Sequence, residues 1–362
     1  MGLVGGGFAG AMALSTLLSG RISDRIGPRH VIATSNLLLL ISLVCLVVVD
    51  KQHWGYFAAY FLVAGATGAM YPSLIAWLTE YRHGPALLQR LVCFCLAWNL
   101  GMICGYAIGG QLFDIWGPAL PMILAIGVLP LNFLLIFLSR EDASITLTSH
   151  EEVTDSEDAT TTLARAFVML SWVANVGGTF CMSIVIFLLP DLAVEIGMTS
   201  GLQGNMLAFS RAVVIATYLM MYVSQWWHFR FVGALASQGL AIAGLLVLAK
   251  SDSQTDLFLG LSLLSILPGY NYFASLYYSA AGSTAERRGT WCGIHEATLG
   301  LGLTLGSILG GWIGTYAGVR VSFVLAALVI AGLAAVQVVL WFRLDDARSE
   351  APSMASATGR GS

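Results

Sequence analysis

The chain reads as a succession of apolar stretches separated by short polar breaks. Cutting at the breaks gives spans near 2–20, 31–49, 54–78, 91–113, 119–138, 165–190, 202–225, 231–249, 256–281, 291–315 and 319–342. A helix needs about 20 residues to cross a hydrocarbon layer of ~30 Å. No span shows the two-residue alternation of a barrel strand. Because lipid offers nothing to satisfy a bare backbone, helices are the remaining solution. The pattern predicts an all-α, polytopic membrane protein with eleven transmembrane helices.

Composition agrees with this. Of 362 residues, 57% are hydrophobic and 10% are charged, and mean hydropathy is +0.80. A soluble domain carries roughly 25% charged residues, so this chain cannot coat itself for water. That excludes a cytosolic enzyme, a nucleic-acid binder and a disordered scaffold, and makes the lipid bilayer the first partner. The six cysteines lie inside apolar runs without metal or disulfide spacing.

Net charge is −3, and the placement of the charges says more than their sum. Putting the loop after the first span in the cytoplasm leaves thirteen of 17 Lys and Arg residues on that side. Lys51, Lys250 and Arg320 fall opposite, and Arg211 lies inside a span. Short cytoplasmic loops carry such an excess, so the C-terminus is expected in the cytoplasm. Met1 then lies outside with no signal peptide. Either the first span inserts as a reverse anchor or a preceding helix is missing from this sequence, and the second reading is preferred.

Residues 139–163 form an acidic, Ser/Thr-rich stretch that reads as a flexible linker, with a regulatory segment as the alternative. The division expected is an N-terminal half 1–138, the linker, a C-terminal half 164–344 and a disordered tail 345–362. The halves resemble each other. Gly101-x3-Gly105-x3-Gly109-Gly110 recurs 201 residues later as Gly302-x3-Gly306-x3-Gly310-Gly311. Gly117 with Gly318, Gly68 with Gly269 and Tyr71 with Tyr272 keep the same register. Glycine at every fourth position lets helices pack closely. The shared register points further, to two related halves with a site at their interface, as in transporters.

Gly20-Arg21-Ile22-Ser23-Asp24-Arg25-Ile26-Gly27-Pro28-Arg29 resembles the signature loop of the major facilitator superfamily, G-x-x-x-D-R-x-G-x-[RK], which follows that family's second helix. Gly105-Tyr106-Ala107-Ile108-Gly109-Gly110 resembles the fifth-helix antiporter motif, with Tyr106 in the proline position. Glu286-Arg287-Arg288-Gly289 resembles the basic turn opening the eleventh helix, and Phe61 replaces an arginine often tied to proton coupling. The resemblance implies a bundle of two pseudo-repeated halves carrying family helices two to twelve. It also implies a gating role for Gly20, Asp24, Arg25, Gly27, Arg29 and Glu80. Asp24 is expected to face the N-terminus of the helix starting near Thr290, and Glu80 to partner Arg25.

Arg211 and Glu296 are the clearest intramembrane charges, each costing ~2.5–3.5 kcal/mol at a helix centre unless paired or hydrated. They are read as coupling or substrate charges, with a structural ion pair between them as the alternative. His295 is a candidate relay partner, although neighbours on a helix point ~100° apart. Pathway-lining candidates are Tyr71, Trp98 and Asn99, then Trp172, Asn175 and Thr179 on one helix face, and Tyr270, Asn271 and Tyr277 on another. Interhelical hydrogen bonding is the plainer account of those faces.

No Ser/His/Asp set, HExxH, metal-ligand cluster or Walker loop occurs. The chain is therefore not expected to be an enzyme, and no metal or cofactor is implied. The function expected is secondary active transport of a small organic solute by alternating access, as proton-coupled efflux by a monomer in a bacterial plasma membrane. Uptake of a sugar or organic anion is the alternative within that class. A transport-incompetent sensor or assembly protein is the alternative outside it.

Overall fold

The computed structural model describes residues 2–80, 82–117, 119–139 and 155–358; side-chain surroundings are described except at 155–163, 166, 285 and 344–358. The described residues form eleven α-helices: α1 (Gly2–Ile26), α2 (Pro28–Val48), α3 (Trp54–Thr79), α4 (Gly84–Trp116), α5 (Ala119–Leu138), α6 (Asp155–Glu195), α7 (Ser200–Val223), α8 (Val232–Ala249), α9 (Gln254–Ala281), α10 (Arg288–Ala317) and α11 (Val319–Thr358). Each contains a stretch long and apolar enough to cross a membrane, and each matches one expected span.

The helices outrun the apolar spans mainly at the arginine-rich face. There α1 continues to Ile26 and α4 starts at Gly84. A polar turn extends a helix at little cost where it emerges into water. The structure therefore corrects the placement of Gly20, which lies inside α1 and not at its end; only Gly27, at φ 88°, breaks the chain before α2. Most of the expected linker, 140–154, lies outside the described residues. Its remainder, 155–163, is the first two turns of α6. Asp155, Glu157 and Asp158 suit that position, because a helix N-terminus favours negative charge. α11 likewise runs through 345–358, expected as a tail; 359–362 lie outside the described residues.

Helices α1–α5 and α6–α11 form two halves related as the sequence repeat suggests. Gly117 and Gly318 end α4 and α10 with φ 73° and 96°, a conformation that side chains other than glycine disfavour. Gly68 of α3 abuts the Met12 backbone of α1, while its counterpart Gly269 of α9 abuts Thr217 of α7. Gly110 of α4 meets Gly204 of α7, while its counterpart Gly311 of α10 meets Gly2 of α1.

Two antiparallel helix pairs therefore join the halves. Small residues run the whole length of α1 against α10: Gly2 meets Ser307 and Gly311, Gly6 meets Ile308, Ala13 meets Gly300, and Gly20 meets Gly289 and Gly293. In the second pair, α4 and α7, backbones meet near the far face, where Tyr106 and Gly110 meet Ser200 and Gly204.

The halves are packed unequally. In the C-terminal half α6 is central, and Gly302, Gly306 and Gly310 of α10 abut its backbone or side chains at Val176, Thr179, Phe180, Ser183 and Ile184. The N-terminal copies Gly101, Gly105 and Gly109 have nothing within 4 Å of where a Cβ would be. α6 has no counterpart among α1–α5. One apolar cluster, from Phe180 to Ile330, belongs to the C-terminal half alone, whereas α5 has a single buried residue, Leu129.

Candidate functional site

Between the halves, at mid-depth, lies a cavity of about 160 Å³. Most of its lining is apolar: Met12, Met102, Met182, Ile186, Leu299 and Leu303 supply adaptable hydrocarbon from four helices. Aromatic rings form one wall across the interface. Tyr71 of α3 and Trp98 of α4 have centroids 6.0 Å apart, and Trp98 lies 5.2 Å from Tyr272 of α9. Tyr71 and Tyr272 are the pair that share register in the repeat, so each half contributes the same tyrosine.

Two charged side chains open on this hydrocarbon. Glu296 sits eight residues into α10, roughly 12 Å from its start. It is 2% exposed, and its Oε1 accepts the Tyr272 hydroxyl at 3.0 Å. Arg211 of α7 is 8% exposed; its guanidinium carbon lies 6.0 Å from the Tyr106 ring centroid, and its Nε has no hydrogen-bond partner. Among the described residues no carboxylate lies within 4.0 Å of Arg211. The ion pair considered as the plainer account of these charges is therefore not formed; both face the cavity separately.

Asn175, Thr179 and Asn271 also line it. Asn175 donates to Thr298 Oγ1 at 2.8 Å, tying α6 to α10. Asn271 donates to the Ala174 carbonyl at 3.1 Å and leaves its own oxygen unpartnered.

Other lining candidates sit elsewhere. Trp172 shares a face with Asn175 but lies nearer the arginine-rich end, where Nε1 donates to Ser279 Oγ at 3.0 Å. Asn99 is fully buried, donating to Cys95 O at 2.9 Å. Tyr270 and Tyr277 are turned ~100° or more from Asn271 about the α9 axis and point into their own half. Tyr277 stacks on His228 at 4.7 Å, and Tyr270 lines a separate small cavity of about 30 Å³ with Arg230 and Gln337. His295 is wholly buried behind Glu296, with Nδ1 2.8 Å from Ser275 Oγ and Nε2 3.7 Å from Glu296 Oε1. Helical spacing identifies a face but not the depth at which the cavity meets it.

On the arginine-rich side the cavity has a floor. Ile75, Leu87, Leu88, Leu91 and Cys95 from one half join Met221, Phe273, Leu276 and Cys292 from the other in one buried cluster. Beneath it the signature loop closes on α10. Asp24 Oδ1 accepts the Gly289 N–H at 2.9 Å, and Oδ2 accepts the Thr290 N–H at 2.9 Å and its hydroxyl at 2.5 Å. These are unsatisfied donors of a helix N-terminus, where an anion is worth ~0.3–2 kcal/mol. Arg288, 2% exposed, reaches back to donate to the carbonyls of Thr79, the last residue of α3, and Arg82 just past it. Glu80 and Glu286 border the same recess with Asp24 and Arg288. Hydrogen bonds from its own N–H and the Thr284 hydroxyl hold the Glu286 carboxyl below the usual carboxylate range. Arg25 is exposed, and Arg29 donates to Phe137 O at 2.9 Å, against the C-terminal turn of α5.

The opposite face has a comparable latch. Asp114, near the end of α4, accepts the Gly201 N–H at the start of α7 at 2.7 Å. Each face thus has a carboxylate from the N-terminal half on a helix N-terminus of the C-terminal half. Removing one charge should weaken that contact by about 0.3–1 kcal/mol, a shift of roughly 2–5-fold in its local opening. Asp24→Asn is expected to raise amide hydrogen exchange at the start of α10 and lower it at the start of α7. Asp114→Asn should do the reverse. Equal changes at both ends would mean that the contacts are not gates.

A family model described as Major Facilitator Superfamily matches residues 1–285 and 234–361. The multidrug resistance protein MdtL of Salmonella typhimurium is 23% identical over 363 residues, covering 95% of this chain and 86% of that protein. The MdtL of Salmonella paratyphi C matches to the same extent. Among solved structures, the human organic anion transporter MFSD10 superposes with a TM-score of 0.70 at 16% identity, covering 93% of this chain and 83% of that one. The Escherichia coli fucose:proton symporter FucP superposes with a TM-score of 0.60, also at 16% identity, covering 93% and 90%.

Proposed function

We propose, for a chain that belongs to the Major Facilitator Superfamily and is a multi-pass membrane transporter, the export of amphipathic organic solutes in exchange for protons. The observation that carries this reading is the cavity holding Glu296 and Arg211 apart in a largely apolar lining. Methionine and aromatic walls accept varied hydrocarbon shapes without demanding a fixed hydrogen-bond pattern. A carboxyl there is expensive to leave charged and empty, so it is best used by alternately holding a proton and a solute. The name of MdtL, a multidrug resistance protein, supports the direction and breadth. The arginine-rich face is the cytoplasmic one on this reading, and the described helices close both latches around the cavity. The signature-loop residues act as the inner gate, Asp114 as the outer one, and the chain works as a monomer.

Arg211 supports a second reading, uptake or exchange of an organic anion, because its guanidinium has no carboxylate partner of its own among the described residues. The two readings part on the solute. Proteoliposomes carrying an imposed pH gradient would be offered a lipophilic aromatic cation and an aromatic carboxylate. Export predicts gradient-driven movement of the cation, retained in Arg211→Gln. If only the carboxylate moves, and Arg211→Gln lowers its transport by about 100-fold or more, the anion reading replaces it; loss of a charged hydrogen-bond partner for the solute costs ~2–5 kcal/mol.

A further inference from the structure

We propose that His295 and Ser275 carry the proton between Glu296 and the arginine-rich face, bypassing the closed apolar floor. This rests on Glu296 being the carboxyl that binds the transported proton. The floor between the halves offers hydrocarbon and aromatic groups, through which a proton does not move. Polar atoms continue past it along the seam of α9 and α10. Ser275 and Ser279 stand one helical turn apart on α9 and Ser283 follows just past its end, all buried, with exposures of 0%, 0% and 5%. The first bonds His295 Nδ1 at 2.8 Å, the second accepts Trp172 Nε1 at 3.0 Å, and the third accepts Arg288 Nε at 3.3 Å. Arg288 reaches the recess that also holds Asp24 and Glu286.

His295 is the hinge of this path. It is fully buried, and Nε2 has no hydrogen-bond partner, yet the nearest carboxylate oxygen, Glu296 Oε1, lies 3.7 Å away. A buried nitrogen is costly to leave unsatisfied, and a small rotation of either side chain closes that distance. The adjacent positions, which diverge on an ideal helix, are brought together because the Tyr272 hydroxyl draws Glu296 Oε1 toward α9. The other ionisable side chains around Glu296 are Tyr71 of α3, Cys95 of α4, Tyr218 of α7, Tyr272 of α9 and Cys292 of α10. These five are neutral weak acids, and Arg211 of α7, which shares the cavity, is a cation with no proton to accept, so the imidazole is the base in reach.

The transfer balances without another reactant. The O–H bond of Glu296 breaks as an N–H bond forms at Nε2. The proton on Nδ1 passes to Ser275 Oγ, whose own proton moves through one water to Ser279 and on by the same exchange through Ser283 to solvent water in the recess that Arg288 borders, the guanidinium only donating along the way. The imidazole ends neutral with its tautomer exchanged, and the reverse transfer or a ring flip resets it.

The test needs no transported solute. Sealed vesicles of each orientation allow pH to be stepped on the Arg288 face alone or on the opposite face alone. The infrared C=O band of protonated Glu296, identified by its loss in Glu296→Gln, reports when the proton arrives. His295→Leu and Ser275→Ala should each slow the response to a step on the Arg288 face by about tenfold or more. The response to a step on the opposite face should be unchanged, and Ser275→Thr should restore the wild-type rate. Unchanged rates for both faces in both variants would overturn the relay, and so would equal slowing from both faces, which marks a packing role. If the Glu296 band fails to titrate in the wild type, the coupling reading falls instead.

Discussion

Glu296→Gln is expected to abolish solute accumulation driven by a pH gradient while leaving solute-for-solute exchange within a few-fold of wild type. The carboxyl lies in the cavity wall, hydrogen-bonded to Tyr272 and facing the volume a solute would fill. Glutamine keeps the size and can accept the same hydrogen bond, but it can neither bind nor release a proton. The barrier to moving the loaded and empty cavity is then unlinked from pH. Net uphill transport should fall by about 100-fold or more, the scale set by removal of an essential proton-transfer group. Counterflow in the same proteoliposomes measures exchange. If both activities disappear together, Glu296 binds solute without coupling it. If both persist, the proton is bound elsewhere.

The second large effect concerns folding. Gly306→Leu should destabilise the protein by about 3 kcal/mol or more, because overpacking of this kind must move backbone. A Cβ at that position runs into the Phe180 carbonyl of α6 and lies 2.9 Å from Ser183 Cβ. The same change at its repeat partner, Gly105→Leu, should alter stability by only about 0.5 kcal/mol, since nothing lies within 4 Å there. Thermal unfolding of the two variants in detergent compares them directly. Equal losses would mean that the two glycine ladders are packed alike, contrary to the arrangement described above.

That asymmetry marks the limit of what the sequence conveys. The glycine register, 201 residues apart, establishes the pseudo-repeat, and Gly117 and Gly318 play the same terminating role in both copies. It does not say which copies have neighbours, because identical residues can line a packed seam or an open one. The spans were legible because lipid enforces a length and an apolar composition on every crossing. Helix ends were not, because a polar turn in water carries no such constraint, and Gly20 was accordingly misplaced.

The cavity was legible in part for similar reasons. Buried charge is costly, so Arg211 and Glu296 stood out against hydrocarbon. Tyr272 was visible as the repeat partner of Tyr71, a signal that would have placed it in the cavity wall. Met12, Met102, Met182 and Tyr218, which also line the cavity, look like any apolar residue of a membrane helix. Trp172, Tyr270 and Tyr277 lay on plausible faces at the wrong depth or rotation. Asp114 carries no motif at all; its importance depends on α4 and α7 meeting at the far face.

Proton exchange for solute is the central claim, and the lumenal pH of proteoliposomes tests it most directly. Wild-type protein would be reconstituted with a trapped pH-sensitive dye, at equal pH on both sides. A lipophilic aromatic cation would then be added outside. Exchange predicts that the lumen becomes more alkaline as solute enters and protons leave, and that Glu296→Gln abolishes the change. A lumen that stays at constant pH while solute enters, or that acidifies with it, would contradict the account.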